Sequence, residues 1–357
     1  MTWDSAQREW ERFLAKVQEA KDGLHCSWHG AWFRGHSDSD QYRLVPALFR
    51  IPDRRDPDFR AEVEALEKKK EEFPRRFGEL VGQKAALKNR HNRARESKNI
   101  DEAKKALEQL EEVNRLIRLN KSALSEICRN LQGHQLLHAG ERDAFLEYSF
   151  RAGANDRSSW ETLAEMQHYG IPTRLLDWTE ILAVALYFAL SEYRKKLFSE
   201  WNVEELSNDG RFRNINRNRD FRIPAGLAVP SVWIINPYLV SRDATKRTRV
   251  WDLTSPEYDY FANFIAKKSW HFEKPIPVYS PWRNTRLAAQ QGMFTVSGYS
   301  KEPLDKIFSK RVAREVRLDP AAAVYGVRHL LDFCGIDHFT LFRDLDTLGN
   351  RIRGEYL

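Results

Sequence analysis

Arg34, in the tripeptide Phe33-Arg34-Gly35, is the sharpest candidate for a chemical role. A guanidinium group presents a rigid fork of N–H donors that can bind phosphate through two parallel hydrogen bonds. Gly35 has no Cβ, so a ligand can approach the backbone beside it closely. The pair therefore predicts a phosphate-binding position. The alternative is a structural ion pair at the edge of the core, with Asp177 as the partner.

A second group of polar and aromatic residues lies between positions 167 and 179. His168 and Tyr169 precede Gly170 and Pro172, and a glycine followed by a proline predicts the end of a helix. Rings at a helix end can stack on a base or on nicotinamide, and a histidine can bind a ribose hydroxyl. The alternative is that both rings only pack the helix end against the following strand.

The next residues predict a buried strand over 173–178 and an apolar helix over 181–196, with Thr179 at its N-cap. Alternate residues of a strand face opposite sides, so Arg174 and Asp177 diverge whereas Asp177 and Thr179 share a face. We therefore prefer Asp177 and Thr179 as a site pair, with Trp178 turned to the core. A structural cap and ion pair would explain the two residues equally well.

Two further features are open to two interpretations. Gln290 precedes a predicted strand and could position a hydroxyl or an amide, although a bond to nearby backbone is the simpler role for this residue type. Residues Arg211 to Arg222 contain five arginines and one aspartate. With Phe212 and Phe221 as stacking partners, this segment would suit nucleic acid or another polyanion. A solvated basic loop would look the same.

The composition indicates a folded protein of 357 residues, 42% hydrophobic and 12% aromatic. No apolar run approaches the roughly 20 residues of a membrane helix, and the polar N-terminus does not look like a signal peptide. Three widely separated cysteines argue against a disulfide framework and a cysteine-rich metal site, so we expect a cytoplasmic location. The net charge of +7 permits an anionic partner without requiring one.

Residues 56–130 have a heptad pattern that differs from the rest of the chain. The first apolar series is Phe59, Leu66, Phe73, Leu80 and Leu87, and the second is Ala103, Leu110, Ile117, Leu124 and Leu131, with Ile100 and Leu107 beside it. This pattern predicts an antiparallel coiled-coil hairpin. The hairpin is either a solvated stalk or a docking arm for a protein partner or a second copy of the chain.

The remaining segments, 1–55 and 131–357, alternate helical and strand-like patterns and predict a single α+β core interrupted by the hairpin. Several common catalytic motifs are absent from the sequence, among them Gly-x-Gly-x-x-Gly, the Walker loop, Gly-x-Ser-x-Gly and His-Glu-x-x-His. The ten histidines are scattered, and no metal site is predicted.

Taken together, these motifs resemble the FRG domain family, which is named for its Phe-Arg-Gly motif. Phe33-Arg34-Gly35 resembles the first family motif. The second and most specific match is Gln167-His168-Tyr169-Gly170 with Thr173 and Leu175-Leu176-Asp177-Trp178-Thr179. Gln290, Gly292 and Phe294 resemble a third element, and Gly335-Ile336 with Leu341-Phe342 and Asp344-Leu345 resembles the C-terminal block of the family. The hairpin looks like an insertion peculiar to this chain.

The family's order of elements is similar to that of ADP-ribosyltransferases, which implies NAD as a substrate and an effector role as a toxin or antiviral defence component. By position, Arg34 would contact the dinucleotide phosphates, Thr179 would support the nicotinamide ribose, and Gln290 would lie at the third motif. Phe33, Gly35, His168, Tyr169 and Thr173 would complete the binding site.

One departure from the transferase pattern concerns the catalytic carboxylate. Such transferases usually carry a glutamate two residues after the Gln or Glu of the third motif, and Gly292 stands there. Cleavage of a glycosidic bond needs a negative charge near the developing oxocarbenium ion. Either Asp177 supplies it, as in an ADP-ribosyltransferase or NAD glycohydrolase, or the domain is a non-enzymatic nucleotide- or nucleic-acid-binding module.

Overall fold

The computed structural model describes residues 2–26, 30–41, 43–51, 57–136, 140–153, 157–200, 223, 225–252, 258–266, 270, 272–280 and 285–356. The basic segment 211–222 lies outside these residues. The chain divides into two compact units. The first comprises Met1–Ile51, Ala144–Asp259 and His271–Leu357, and the second comprises Pro52–Asp143 and Tyr260–Trp270.

The first unit is built on a six-stranded antiparallel sheet, so the fold is α+β. Its strands are β1 (Trp32–His36), β2 (Leu175–Thr179), β3 (Ser231–Ile235), β4 (Ile276–Val278), β5 (Gly292–Val296) and β6 (Ala313–Arg317). The strand order is β4-β5-β2-β1-β3-β6.

The α-helices of the described residues occur in both units. They are α1 (Trp3–Gly23), α2 (Ala47–Arg50), α3 (Pro57–Glu96), α4 (Ile100–Leu136), α5 (Glu141–Arg151), α6 (Ser159–His168), α7 (Leu182–Ala189), α8 (Ser191–Glu200), α9 (Pro237–Thr245), α10 (Thr285–Gln290), α11 (Leu304–Ile307), α12 (Pro320–Asp332), α13 (His338–Phe342) and α14 (Leu345–Tyr356). A short π-helix spans Phe261–Ala266. Among the described residues, no helix is both long and apolar enough to span a bilayer.

Alternate residues of the strands pack into two apolar layers, because successive side chains point to opposite faces of a sheet. Phe33 of β1 and Ile234 of β3 pack with α1, α7 and α12. Trp32, Trp178 and Met293 belong to the other layer. The apolar character of α7 on nearly all sides fits its place in the centre of the first layer.

The pairing between the two central strands is interrupted. β1 pairs with β3 from Trp32 to His36, and β2 pairs with β5 from Leu175 to Thr179, in each case along the whole strand. In contrast, β1 and β2 pair only at Phe33 and Thr179. The two strands therefore diverge toward the C-terminal end of β1 and the N-terminal end of β2.

Gly35 is required by packing between β1 and α7. A Cβ at this position would lie 1.9 Å from the carbonyl oxygen of Ala185 and 2.6 Å from the backbone nitrogen of Ala189. Packing between strand and helix is therefore a reason for this glycine that differs from the expected one, access of a ligand to the backbone. The missing side chain lets the helix backbone approach the strand.

Two predicted boundaries around β2 are shifted. The strand covers Leu175–Thr179 and not 173–178, so Thr179 is its last residue. Ile181, and not Thr179, is the N-cap of α7. The hydroxyl of Thr179 nevertheless accepts a hydrogen bond from the nitrogen of Ile181 at 3.1 Å. Thr179 thus performs part of the predicted capping role from within the strand.

The second unit contains the two long helices α3 and α4. They run antiparallel, because only residues 97–99 connect them and the two helices pack against each other. Beside this turn Arg90 binds Glu102 at 3.1 Å, and the Nδ1 atom of His91 lies 2.9 Å from the carbonyl oxygen of Ala103. The predicted companions of the second heptad series are wrong, since Ile100 is 80% and Leu107 is 43% exposed. Ala106 and Val113 are the buried residues instead. The heptad pattern allows companions on either side of the series, and only the packing of the pair selects one.

Candidate functional site

A cavity of about 250 Å³ lies where β1 and β2 diverge, and we call it the β1–β2 cavity. Its walls come from β1, β2, β5, α6, α7 and α10. The lining residues are Phe33, Arg34, Gly35, Ala164, Gln167, His168, Asp177, Trp178, Thr179, Val184, Ala185, Phe188, Arg286, Leu287, Gln290, Gly292 and Phe294.

Arg34 connects the two diverging strands. Its Nη1 atom donates to the carbonyl oxygen of Asp177 at 2.8 Å and lies 3.6 Å from the Oδ2 atom of the same residue. Burial lowers the pKa of Arg34, and the carboxylate of Asp177 opposes this shift. The nearby carboxylate of Asp177 favours the charged form of the guanidinium. Arg34 thus has features of both interpretations, the ligand-binding one and the structural one, because it lines a cavity and is also paired with Asp177.

His36 is a second hydrogen-bond partner of Arg34. It is 4% exposed, and its Nε2 atom accepts a hydrogen bond from the Nε atom of Arg34 at 3.3 Å. Burial, followed by the charges of Arg34 and Arg50, lowers the pKa of His36 to about 3. The imidazole is thus neutral near pH 7 and can accept. Sequence reasoning missed this residue, although its position two residues after Arg34 on a strand places both on one face.

Asp177 and Thr179 both line the cavity, but their side chains differ in exposure. The side chain of Asp177 is 54% exposed, whereas Thr179 is 5% exposed. The hydroxyl of Thr179 donates to the carbonyl oxygen of Gln290 at 2.6 Å while accepting from Ile181. Thr179 therefore fastens the end of β2 to α7 and α10. Of the described residues around the cavity, Asp177 alone carries a carboxylate.

Gln290 lies at the end of α10, two residues before β5. Its Nε2 atom donates to the carbonyl oxygen of Leu341 at 3.3 Å, so its side chain makes the backbone bond that its residue type suggested. The turn to the strand passes through Gln291, whose φ of 43° is left-handed. Gly292 then opens β5, at the position where a transferase would carry glutamate.

The helix α6 ends where the sequence predicts. Gly170 has a φ of 79°, and the nitrogen of Ile171 donates to the carbonyl oxygen of Met166 at 2.9 Å, which is the Schellman arrangement. This end brings His168 to the cavity wall. Tyr169 is 67% exposed, does not line the cavity and meets the edge of the His168 ring.

Thr173 also lies outside the cavity lining. It is 1% exposed, and its hydroxyl donates to the side-chain oxygen of Gln167. Gln167 itself lines the cavity, so Thr173 acts on the site through that amide. Arg174, set aside by the facing argument, is fully buried and donates to the carbonyl oxygens of Ser297 and Gly298.

Arg286 is a second cation on the cavity wall that sequence reasoning missed. Its guanidinium lies 4.2 Å from the centre of the Phe342 ring, and its Nη1 atom donates to the carbonyl oxygen of His168 at 3.5 Å. Burial lowers the pKa of Arg286, and burial together with Arg286 lowers that of His168. The sequence did contain a signal for this residue. Arg286 lies four residues before Gln290, and this spacing places the two side chains on one face of a helix.

The charges of the lining favour an anionic ligand. Arg34 and Arg286 contribute two positive charges, and Asp177 contributes one negative charge. Arginine is suited to phosphate and carboxylate groups because its donors form a planar fork. Among the residues described, no group of three or more histidine, cysteine, aspartate or glutamate side chains could hold a metal ion.

Comparison with known families gave one match. The family model of the FRG domain matches residues 29–197. The chain contains an FRG domain. This match includes β1, α6, β2 and α7, and thereby most walls of the β1–β2 cavity. Neither the curated proteins nor the solved structures that were searched gave a match.

The structure gives the three residues of the FRG motif distinct roles. Phe33 packs into the core layer with α7. Arg34 enters the cavity and binds the carbonyl of Asp177. Gly35 admits the backbone of α7. The motif thus places an arginine at the divergence of two strands and holds the helix that covers it.

Proposed function

We propose that the FRG domain is an NAD-using ADP-ribosyltransferase-like effector that serves as a toxin or an antiviral defence component. The observation that carries this proposal is the pair of arginines, Arg34 and Arg286, beside Asp177, the one carboxylate among the described lining residues of the β1–β2 cavity. A diphosphate would pair with the arginines, and the carboxylate would lie close enough to act on an attached sugar.

The cavity suits one half of a dinucleotide. Small-molecule pockets usually measure about 300–1,000 Å³, and this one measures about 250 Å³. It could therefore enclose the nicotinamide and its ribose while the remainder stays outside. Phe33, Phe188 and Phe294 line it with aromatic surface for a planar ring. His168 could bind a ribose hydroxyl, as its position at the end of α6 first suggested.

The reaction would break the bond between ribose C1′ and the nicotinamide nitrogen. The electron pair would leave on nicotinamide, and an acceptor nucleophile would bond to C1′ and lose its proton. Water as acceptor would make the enzyme an NAD glycohydrolase. Asp177 would stabilise the positive charge that develops on the ribose. Arg34 would hold the phosphates and, through its bond to the Asp177 carbonyl, fix the position of that carboxylate.

The test is incubation of the purified full-length protein with NAD labelled in the ADP-ribose part, in the presence of protein and nucleic-acid acceptors. We expect nicotinamide release. Arg34→Lys should reduce kcat/KM by about 100-fold because lysine cannot bind bidentately, and Asp177→Asn should reduce kcat by about 100-fold. Arg317→Lys, the same exchange on the exposed side of β6, should have no effect. Absence of both nicotinamide release and label transfer would contradict transferase and glycohydrolase activity.

A second candidate is a module that binds a nucleotide without turning it over. Two observations favour it: Gly292 stands in place of the expected glutamate, and the carboxylate of Asp177 lies 3.6 Å from Arg34. A ligand that binds only the folded state must raise the melting temperature. NAD or ADP-ribose would then stabilise the protein without product formation, and Arg34→Lys would remove the stabilisation. If neither ligand changes the melting temperature, this candidate fails as well.

A further inference from the structure

The end of the helical hairpin carries the net charge of the whole hairpin. We call residues 88–105 the hairpin tip; it contains seven lysines and arginines against three acidic residues. The rest of the two helices, residues 57–87 and 106–136, is balanced at eleven of each sign. A charge excess confined to one end indicates a local surface for an acidic partner, because a solubility margin would not need to be concentrated there.

An open groove of about 710 Å³ lies on the hairpin tip. Its apolar lining includes Ala94, which is buried, and the exposed side chains of Ile100 and Leu107. Ile100 is 80% exposed, and burial of its apolar surface against a partner would contribute favourable free energy to binding. Small residues at the base of the groove leave room for a side chain from outside.

Three basic residues border the groove: Arg95, Lys98 and Lys104. They make no ion pair with any residue that the structure describes, whereas Arg90 nearby is paired with Glu102 at 3.1 Å. Their charges are therefore available to a partner.

The groove is preformed by the turn between α3 and α4. Lys98 has a left-handed φ of 57°, and the nitrogen of Asn99 donates to the carbonyl oxygen of Ala94 at 2.9 Å, which ends α3. The Oδ1 atom of Asn99 accepts from the nitrogen of Glu102 at 3.1 Å, which caps the start of α4. A fixed turn lowers the entropy lost on binding.

We propose that the hairpin tip binds an acidic amphipathic helix of a partner protein. An apolar floor with a basic border is complementary to a helix that has apolar residues at i, i+3 and i+4 and acidic residues beside them. Seven residues separate Ile100 from Leu107, or roughly 10 Å of helix, so the surface accepts about two turns. The lining contains no Phe, Tyr or Trp on which bases could stack, which disfavours single-stranded nucleic acid.

The test uses the full-length protein and a fluorescein-labelled helical peptide of leucine and glutamate in this pattern, measured by fluorescence anisotropy. We expect binding that weakens with salt. A peptide with glutamine for glutamate and one with serine for leucine should each bind about tenfold more weakly. Ile100→Gln and Lys104→Glu should each raise the Kd about tenfold. Both side chains are exposed, so the variants should fold, and circular dichroism would check this.

Lys68→Glu provides the matched control, because it makes the same charge change at an exposed position on α3 outside the hairpin tip. An equal loss of affinity in Lys68→Glu would reduce the effect to general charge attraction and overturn the proposal. Tighter binding of a single-stranded oligonucleotide of equal charge would do so too. Self-association of the chain in sedimentation, abolished by Ile100→Gln, would assign the groove to a second copy instead.

Discussion

At the scale of single residues, the site depends on three side chains that hold one another. Arg34 donates to both the carbonyl of Asp177 and the ring of His36, and His36 can accept only while it is neutral. Its low pKa follows from burial beside two arginines. Protonation of His36 would remove the acceptor for Arg34, so the hydrogen bonds of the site depend on pH.

The pH dependence of stability should therefore show the contribution of His36. The folded pKa is about 3, whereas an unperturbed histidine has a pKa of about 6.5. Below about pH 6.5 the unfolded chain takes up a proton that the native chain does not. The contribution of His36 to the free energy of unfolding should thus fall as the pH drops, by up to about 1.4 kcal/mol per pH unit, and stay constant above that range.

Urea denaturation of the wild type and of His36→Gln, from about pH 8 to about pH 4, would measure this. The glutamine oxygen can accept from Arg34 but does not titrate, so the variant should show a shallower slope on the acid side. His168 and His338, whose pKa values burial also lowers, contribute equally to both proteins. Identical slopes would contradict the assignment to His36.

At the scale of elements, the contact between β1 and α7 decides where the cavity lies. Gly35 allows the backbones of strand and helix to touch, and Thr179 fastens the end of β2 to the start of the same helix. α7 therefore closes one side of the cavity from two attachment points. The helix therefore shapes the cavity without contributing a polar side chain to its wall.

Substitution of Gly35 by alanine should destabilise the core by about 3 kcal/mol or more, because the new methyl group meets backbone atoms that cannot rotate away. Gly349→Ala is the matched control. Gly349 lies inside α14 with nothing within 4 Å of an added Cβ, so alanine there should stabilise by about 0.5–1 kcal/mol. Chemical denaturation followed by circular dichroism would compare them. A loss below about 1 kcal/mol for Gly35→Ala would show that the two backbones are not in close contact.

At the scale of the whole molecule, the chain has two compact units with separate sources of stability. The first has the apolar layers of the sheet. The second has the seam between α3 and α4, where Ala106 and Val113 are buried. Each unit should therefore respond mainly to changes in its own interior.

Val113→Asp should destabilise the hairpin by about 3 kcal/mol, because Val113 is 8% exposed and a charge there would be buried without a partner. Leu119→Asp on the same helix should cost less than about 0.5 kcal/mol, since Leu119 is 55% exposed. Hydrogen exchange would locate the effect. Faster exchange in α3 and α4 with unchanged protection of the sheet is expected. Equal loss of protection in the sheet would show that the two units unfold as one.

The sequence by itself determined the features that depend on chain neighbours. Gly170 and Pro172 fixed the end of α6, since a left-handed glycine and a proline cannot continue a helix. The heptad spacing indicated two long helices, and the FRG tripeptide pointed to Arg34 before any contact was visible. Local backbone preference and side-chain periodicity suffice for such conclusions, and they also placed Asp177 and Thr179 together.

Only the tertiary structure decided which of these residues meet in one cavity. Arg286 and His36 reach the site where β1 and β2 separate, beyond Phe33 on β1 and before Thr179 on β2. No local pattern predicts where two strands that are distant in sequence separate. Tyr169 and Thr173 do not line the cavity, because the direction of a side chain follows from the packing around it. In the hairpin, likewise, Val113 is buried and Leu107 is exposed, because burial depends on the facing helix and not on heptad spacing alone.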